Sequence, residues 1–334
     1  MKKIFLKNLI CMSLCFGLMF IMLNSNVNAE STKSLFRYMN HKTQKCGLID
    51  KNGKVITKEK YDSVGETSEG LTLVVEKNKC GYVDLKGKYV INPKFEEGDS
   101  FSEGLALVQW KGKYGYINKK GKWIIKPIYS SASRFSEGVA CAEKNGKMGY
   151  INKEGKWIIK PTYNFADTFQ EGLAAVEKNG AWGFINKKGK VVVKLKYDFV
   201  CGFSEGLASV EYNGEWQYID QKGKVVFKVN ENDTVGAFSN GLAYVVNEKG
   251  MGYLNKKGEV TIPEKFEKAD TFSEGFAAVQ IEGRCGFIDA RGNFIVDPIY
   301  DWVEPFQNGL ALVCKDSQWS YVNINGKIAF ECPN

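Results

Sequence analysis

Short apolar runs separated by polar turns recur along nearly the whole chain, and residues 101–127 show the pattern most clearly. In that stretch GLALV (104–108) is continuously apolar, while KYGYIN (113–118) and KWIIKP (122–127) alternate between the two faces of an extended chain. Short runs rich in aromatic and β-branched residues are typical of β-strands, and the repeated stretch shows no helical period. The pattern predicts three short antiparallel strands per repeat and an all-β fold.

The turn between the second and third strands has Asn or Asp at its start and Gly three positions later, as in N-K-K-G at 118–121. Asn or Asp can cap its own turn, and Gly supplies the left-handed residue of a type I turn with a G1 bulge. Proline ends the ladder near the close of the third strand, where its missing N–H stops pairing. These prolines are Pro93, Pro127, Pro161, Pro263 and Pro298.

A fixed period of 34 residues, lengthened once to 35, relates the glycines of the S-E-G turns. They are Gly70, Gly104, Gly138, Gly172, Gly206, Gly241, Gly275 and Gly309. Full units begin at about 67, 101, 135, 169, 203, 238, 272 and 306, and a degenerate unit at 36–66 precedes them. A period in this range indicates an array of supersecondary units.

Stacking of neighbouring units is expected to supply the core, because 34 residues fall below the roughly 40 at which isolated domains become rare. Nine units exceed the roughly four to eight blades usual in propellers. The last unit also ends with its own third strand at 327–330, so no strand is left to complete the first unit. We therefore expect an open superhelical, solenoid-like array of three-stranded antiparallel β-meanders. A closed β-propeller is the alternative.

The segment A-W-G-F-I-N at 181–186, preceded by F-x-E-G-L-A-x-V and followed by G-K-x-I-I-K-P-x-Y, resembles the WG-repeat family of bacterial proteins. The resemblance covers about residues 36–330 and recurs in register. It implies a β-rich repeat, often in an exported or surface protein, and no particular reaction. Two copies depart from the motif, because Gln217 and Ser320 stand where others have Gly.

The first 29 residues have the layout of a secretory signal peptide. Three lysines precede an apolar run at 9–23, and V-N-A at 27–29 offers small residues for cleavage after Ala29. A short linker at 30–35 and the repeat array at 36–334 would follow. The expected location is secreted or at the cell surface or envelope, with no membrane span after cleavage. A retained anchor and a lipoprotein signal are the alternatives.

Charge, cysteine count and histidine count limit which ligands, disulfides and metal sites the chain is expected to have. Loss of the leader removes three lysines and no acids, so the formal charge falls from +8 to +5, which does not suggest a nucleic-acid binder. Seven of nine cysteines remain, without a C-x-x-C pair, at positions where other copies have core side chains. They are expected to fill core space rather than form a disulfide framework. With one histidine, no metal site or cofactor is expected.

The apparent catalytic motifs consist of residues that recur at the same position in most repeats. G-F-S-E-G at 202–206 matches a nucleophile elbow, but Ser204 is one copy of a repeated serine, and the only histidine is His41 in the degenerate unit. The glutamate of S-E-G recurs in most units and is expected to cap the turn into the first strand, since function needs one particular site. The sequence therefore predicts that the chain is not an enzyme.

Two sets of residues are candidate ligand contacts. Lysines of the N-K-x-G turn would align in stacked units as a basic ridge suited to an anionic polymer such as a wall teichoic acid. They are Lys119, Lys120, Lys187, Lys188, Lys256 and Lys257. Phe165, Phe199 and Trp302 occupy a variable column and could stack on sugars or a protein. The structural alternatives are lysines that solvate turns and blunt sheet edges, and aromatics that pack between units.

The function expected from these observations is an exported, non-enzymatic binding array that acts as a monomer. Its partner would be a protein or an anionic envelope polysaccharide, and not nucleic acid. A structural surface spacer is the second hypothesis. A hydrolase with an unrecognised site is the third, and the near absence of histidine makes it the weakest.

Overall fold

The computed structural model describes residues 34–40 and 42–333. The predicted signal peptide at 1–29, linker residues 30–33 and His41 lie outside the described residues. All regular structure in the described part of the chain is β-strand, so the all-β prediction is confirmed. Within it, no helix is long and apolar enough to cross a membrane.

Thirty-three strands in the described ranges form nine small antiparallel sheets, called blades 1 to 9 in chain order. Blade 1 contains β1 (Phe36–Asn40), β2 (Lys45–Ile49) and β3 (Val55–Tyr61). Blade 2 contains β4 (Ser63–Ser68), β5 (Leu71–Glu76), β6 (Lys79–Asp84) and β7 (Tyr89–Phe95). Blade 3 contains β8 (Leu105–Trp110), β9 (Lys113–Asn118) and β10 (Trp123–Tyr129), and blade 4 contains β11 (Val139–Lys144), β12 (Lys147–Asn152) and β13 (Trp157–Tyr163).

Blade 5 contains β14 (Phe165–Ala166), β15 (Leu173–Lys178), β16 (Ala181–Asn186) and β17 (Val191–Tyr197). Blade 6 contains β18 (Phe199–Val200), β19 (Leu207–Tyr212), β20 (Glu215–Asp220) and β21 (Val225–Lys228). Blade 7 contains β22 (Thr234–Val235), β23 (Leu242–Asn247), β24 (Gly250–Asn255) and β25 (Val260–Phe266). Blade 8 contains β26 (Lys268–Ala269), β27 (Phe276–Ile281), β28 (Arg284–Asp289) and β29 (Phe294–Tyr300), and blade 9 contains β30 (Trp302–Val303), β31 (Leu310–Lys315), β32 (Gln318–Asn323) and β33 (Ile328–Glu331).

Each complete blade is a meander of four strands, called a, b, c and d in chain order. Strands b and c pair throughout their length, and in blade 5 the register runs from Leu173 opposite Asn186 to Lys178 opposite Ala181. The three strands predicted from the sequence are b, c and d. The additional strand a comes from the segment that the sequence suggested was a connecting loop. In blades 3 and 4 it is reduced to isolated bridges.

One packing contact repeats from blade to blade. The glycine of the c–d turn lies against an apolar side chain of the preceding blade's strand d, so that a Cβ on Gly155 would be 3.2 Å from Ile125. The same contact joins the two ends of the chain, because a Cβ on Gly53 of blade 1 would be 2.7 Å from the Phe330 ring of blade 9. The blades therefore form a closed ring, a nine-bladed β-propeller.

The prediction of an open superhelical array is wrong, and the propeller alternative is correct. Blade 9 keeps its own strand β33 and blade 1 has only three strands, as the sequence indicated, yet the ring closes without sharing a strand. In the described residues, contacts made by side chains join the two ends. The Tyr321 ring packs edge-on against Phe36 at 5.3 Å, its hydroxyl donates to the Arg37 carbonyl at 2.9 Å, and Arg37 pairs with Glu304.

Aromatic pairs fill the seven successive interfaces from that of blades 2 and 3 to that of blades 8 and 9. A ring from strand c of one blade packs on the phenylalanine just before the a–b turn of the next, with centroids 4.6–4.9 Å apart. Tyr150 on Phe169 is one such pair, and the Tyr150 hydroxyl also donates to the Asp167 carbonyl. Burial raises the pKa of Tyr150 well above its ordinary value. Each blade thus completes its core against its neighbours, as expected for a repeat.

The glycine of the W-G motif lies in strand c, at the point where the backbone of the outer strand d comes closest to it. The pairing of strands c and d contains two bulges in seven of the nine blades and one bulge in blades 6 and 9. In six of those seven, all except blade 1, a Cβ on the motif glycine would be 2.5–2.7 Å from a strand-d carbonyl oxygen. Gln217 and Ser320 replace it in blades 6 and 9, where strand d is only four residues long and lacks the second bulge. The glycine is therefore required by the bulged outer strand, which explains both departures from the motif.

Candidate functional site

The face of the ring that carries the a–b and c–d turns contains most of the predicted site residues. Strands of a blade alternate in direction, so these two turns lie at the same end, while the b–c hairpins lie at the other. In blade 3 they are the S-E-G turn at 102–105 and the N-K-K-G turn at 118–121. We call this side the turn face.

The S-E-G turn aims its glutamate at the next blade. Ser102 and Leu105 exchange both backbone hydrogen bonds, at 2.9 and 3.1 Å, so only two residues make the turn. Both have positive φ, 54° at Glu103 and 85° at Gly104, which is the type I′ geometry that suits a two-residue hairpin. The Glu103 carboxylate accepts the backbone N–H of Gly138 in blade 4 at 3.0 Å. The glutamate thus caps the next blade's turn and not its own.

A lysine of the next blade completes the contact. Lys153 Nζ lies 3.0 Å from Glu103 Oε2 and also donates to the Glu103 carbonyl oxygen at 3.1 Å. The same three-way contact recurs around the ring, and we call it the charge ladder. Its rungs are Glu69–Lys119, Glu103–Lys153, Glu137–Lys187 and Glu205–Lys256, with Gln221 replacing lysine opposite Glu171.

The two columns of the ladder change together at one interface and separately at others. At the interface of blades 7 and 8, Asn240 stands in the glutamate position and Ala290 stands in the lysine position. At the next interface, Glu274 faces Ile324 and accepts only backbone N–H groups, from Asn308 at 2.7 Å and from Gly309 at 2.8 Å. Both members of the rung are therefore absent at the interface of blades 7 and 8, whereas Glu171 and Glu274 keep their contacts to the next blade without a lysine.

Installing the missing rung should stabilise the ring. We expect Asn240→Glu together with Ala290→Lys to raise the free energy of unfolding by up to about 1 kcal/mol, the upper range for a partly exposed ion pair. Each single change should have a smaller effect, because neither completes the pair. Urea unfolding of the four proteins checks this, and a double variant that equals the sum of the singles would contradict it.

The second lysine of each turn has a different role from the first. The backbone N–H groups of Lys120, Lys188 and Lys257 donate to the Asn side chain that opens the turn, at 2.9–3.0 Å, while their side chains are exposed. Exposed basic side chains at this position and after the turn glycine form what we call the basic ring. Its members are Lys54, Lys86, Lys88, Lys120, Lys122, Lys156, Lys188, Lys190, Lys222, Lys224, Lys257, Arg291 and Lys327.

The predicted ridge of six lysines is therefore divided between two structures. Lys119, Lys187 and Lys256 belong to the charge ladder, whereas Lys120, Lys188 and Lys257 belong to the basic ring. The six-lysine prediction left out ring members such as Lys86 and Arg291, although the same turn columns identify them. The partners of the side chains separate the two lysine columns, because all six lysines are exposed, and a turn sequence alone does not contain that information.

The predicted aromatic residues do not form one site. The Phe165 and Phe199 rings both pack on Trp182, with centroids 5.1 and 5.6 Å from it; the first contact lies within blade 5, and the second joins blade 6 to blade 5. Trp302 belongs to blade 9 and is 56 % exposed, so it remains available for a ligand. These aromatic residues lie toward the end of the blades opposite the turn face, because strand a begins there.

The serine of the apparent nucleophile elbow is part of the ring's inner framework. Ser204 Oγ donates to the Phe238 carbonyl of the next blade at 2.6 Å, and Ser102 and Ser136 make the same contact to their following blades. In the described residues, no group of three or more His, Cys, Asp or Glu side chains could hold a metal ion.

The fold and the repeated turns define a nine-bladed β-propeller built from one sequence repeat. The family model described as "WG containing repeat" matches the chain in eight tandem segments, so the chain belongs to the WG-repeat family and the resemblance is confirmed. The segments are 47–80, 81–114, 114–147, 148–180, 182–216, 218–249, 251–285 and 286–319. No curated protein sequence matches the chain significantly.

Solved structures share the fold at low sequence identity. The chain is similar to a structure titled "Crystal structure of the eukaryotic initiation factor", with a TM-score of 0.62, 13% identity, and 90% of this chain and 96% of that chain covered. It is also similar to the dihydro-heme d1 dehydrogenase NirN in complex with DHE, with a TM-score of 0.51, 11% identity, and coverage of 92% and 78%. The structural similarity supports the fold alone, because sequence identities this low do not indicate a shared activity.

Proposed function

We propose that this propeller is an exported, non-enzymatic binding platform whose basic ring holds an anionic polymer of the cell envelope. The observation that supports this proposal is the division of the turn lysines. One column is used for interblade contacts, while the other columns keep exposed cationic side chains on the same face in most blades. A structure that needed lysine only for the ladder would not need this second set.

A closed ring suits a long ligand of repeated charge. Exposed lysines held on rigid turns present many equivalent contacts, and simultaneous engagement raises avidity without requiring strong individual contacts. Each contact is screened over about 8 Å at physiological ionic strength, so binding should weaken as salt increases. The predicted cleavage after Ala29 would deliver the propeller to the compartment that contains such polymers.

Two matched sets of lysine variants test the proposal. Replacing Lys120, Lys188 and Lys257 by glutamine should weaken binding to purified wall teichoic acid about tenfold, or about 1.4 kcal/mol, without changing the thermal midpoint. Replacing the ladder residues Lys119, Lys187 and Lys256 should instead lower the thermal midpoint, because three rungs are lost.

Titration calorimetry at low and high salt, together with thermal unfolding of each variant, provides the measurements. The wild-type affinity should fall steeply as salt is added. Absent or salt-insensitive binding would contradict the proposal, as would equal loss of affinity in the two sets without a stability difference.

A further inference from the structure

Charge is distributed unevenly around the ring. Residues 34–197, which form blades 1 to 5, contain 30 basic and 17 acidic side chains, so their formal charge is +13. Residues 198–334, which form blades 6 to 9, contain 12 basic and 20 acidic side chains, so their formal charge is −8. A charge difference of this size steers a polyanion toward one side of the ring.

The outer strand d of four successive blades repeats one pattern, which is lysine, apolar residue and lysine at every second position. All twelve side chains are exposed, the apolar ones by 37–47 %. The first lysine of each triplet also belongs to the basic ring, so the pattern continues that ring from the turn face onto the outer wall. We call these residues the wall patch: Lys122, Ile124 and Lys126 in blade 3, Lys156, Ile158 and Lys160 in blade 4, Lys190, Val192 and Lys194 in blade 5, and Lys224, Val226 and Lys228 in blade 6.

Protection of the sheet edges does not account for the wall patch. Lysines on an outer strand hinder edge-to-edge pairing, but all nine blades have such a strand and would need the same device. The other five blades depart from the pattern. In blade 1 the apolar residue Ile56 is half-buried, and in blades 2, 7, 8 and 9 the second lysine is replaced by Asn92, Pro263, Asp297 and Glu331. A pattern confined to one side of the ring is typical of a surface that meets a partner.

Apolar side chains between lysines favour one kind of polyanion. The lysines attract phosphate groups, whereas exposed isoleucine and valine gain free energy only when they cover carbon-rich surface. We propose that the wall patch binds a chain of polyol or sugar units joined by phosphates, which passes from the basic ring over the outer wall of blades 3 to 6. This inference rests on the proposed function and adds to it the class of polymer and the side of the ring that holds it.

The shape of the wall also fits a flexible chain. Four successive blades of a closed ring present a convex surface, so a flat partner such as a membrane would touch only part of it. A chain can follow the curve and engage several triplets at once, which raises avidity. Lys228 pairs with Glu215 of its own blade at 3.0 Å, so binding should depend mainly on blades 3 to 5.

Titration calorimetry of the full mature chain with purified wall teichoic acid tests the wall lysines. The test variant changes three of them to glutamine: Lys126, Lys160 and Lys194. The control variant changes three exposed lysines at the b–c hairpins of the same blades: Lys113, Lys144 and Lys178. The wall variant should bind about tenfold more weakly, while the control, which has the same net charge, should stay within about twofold of the wild type.

The apolar column tests the class of polymer, with inorganic polyphosphate as the second probe. Changing Ile124, Ile158 and Val192 to threonine keeps a β-branched side chain, and Thr261 already occupies this column in blade 7, so the fold should be retained. This variant should bind teichoic acid at least about threefold more weakly and polyphosphate with unchanged affinity, because polyphosphate has no carbon surface to cover. Thermal unfolding should give the same midpoint for every variant.

The outcomes distinguish this inference from the proposed function. A wild-type protein that binds neither polymer would overturn both. If changes at Lys120, Lys188 and Lys257 weaken binding while the wall variant keeps full affinity, the wall patch alone is overturned. A threonine variant that loses affinity equally for both polymers, or for neither, would overturn the assignment to a polyol or sugar phosphate.

Discussion

Replacing Gly183 by alanine is expected to lower the free energy of unfolding by about 2–3 kcal/mol, the upper range for inserting an atom into a packed core. The added Cβ would lie 2.6 Å from the Val193 carbonyl oxygen. That atom belongs to the bulged backbone of strand d, which cannot move aside as a flexible side chain could. Either β17 must leave β16 or the bulge must shift, and both outcomes weaken blade 5. Urea unfolding midpoints measure the effect.

Ser320→Ala in blade 9 is the matched control, because it places the same residue in the same repeat column. No second bulge faces Ser320, so this change should cost well under half as much. Equal losses in the two variants would show that the motif glycine has no special relation to the bulged strand. The contact would then not explain why Gln217 and Ser320 occur only where strand d is short.

Tyr321→Ala is expected to cost as much as Tyr150→Ala, about 3–5 kcal/mol each, the range for removing a buried aromatic side chain. Tyr150 lies between two internal blades, whereas Tyr321 packs on Phe36 from the other end of the chain. Each tyrosine hydroxyl also donates to a backbone carbonyl of the following blade. In an open array Tyr321 would belong to a terminal unit with no following blade, and its loss would cost much less.

A double-mutant cycle isolates the closing contact. Phe36→Ala and Tyr321→Ala should be coupled by about 0.5–1.5 kcal/mol, the range for an aromatic pair. Phe36→Ala with Tyr150→Ala is the control and should be additive, because these side chains lie in separate interfaces. Additivity in both pairs would show that the ends of the chain do not meet.

The local structure of each unit follows from short-range chemistry, and the sequence predicted it well. The runs at 104–108, 113–118 and 122–127 correspond to β8, β9 and β10, and the turn glycine Gly121 has the expected positive φ of 74°. Alternation and turn residues act within a few positions, so one unit contains all the information needed. Strand a was missed because it pairs over only a few residues and reads as a loop.

Ring closure could not be predicted from one unit. It depends on the small rotation between successive blades, which no residue pattern within a unit reports, and on contacts such as Arg37 with Glu304 from opposite ends of the chain. Treating a shared strand as a requirement for closure produced the wrong architecture. Side-chain packing between blades 9 and 1 is sufficient, because the Gly53–Phe330 contact repeats the glycine contact of the internal interfaces and Phe36 of β1 provides the ring on which Tyr321 packs.

Half of the predicted lysines pair with a glutamate about one and a half repeats earlier in the chain, and the turn sequence does not reveal that pairing. Lys119 meets Glu69 from the preceding blade, and nothing in the N-K-K-G turn distinguishes it from Lys120. Comparing columns one unit apart gives only a weak signal for the ladder. Asn240 and Ala290 replace both members at one interface, but Gln221 and Ile324 replace the lysine where the glutamate is kept.

Distances between spin labels on the b–c hairpins test ring closure most directly. One pair of labels is placed at Thr43 in blade 1 and Asp316 in blade 9, and the control pair at Lys111 and Asn145 in the adjacent blades 3 and 4. All four sites are exposed, and the half-buried Cys201 and Cys285 are replaced by serine to prevent additional labelling.

A closed ring predicts that the Thr43–Asp316 distance matches the control to within a few ångströms, since both pairs then span one blade interface. An open array predicts a Thr43–Asp316 distance many blade widths longer than the control. That second result would contradict the nine-bladed propeller and, with it, the continuous basic ring.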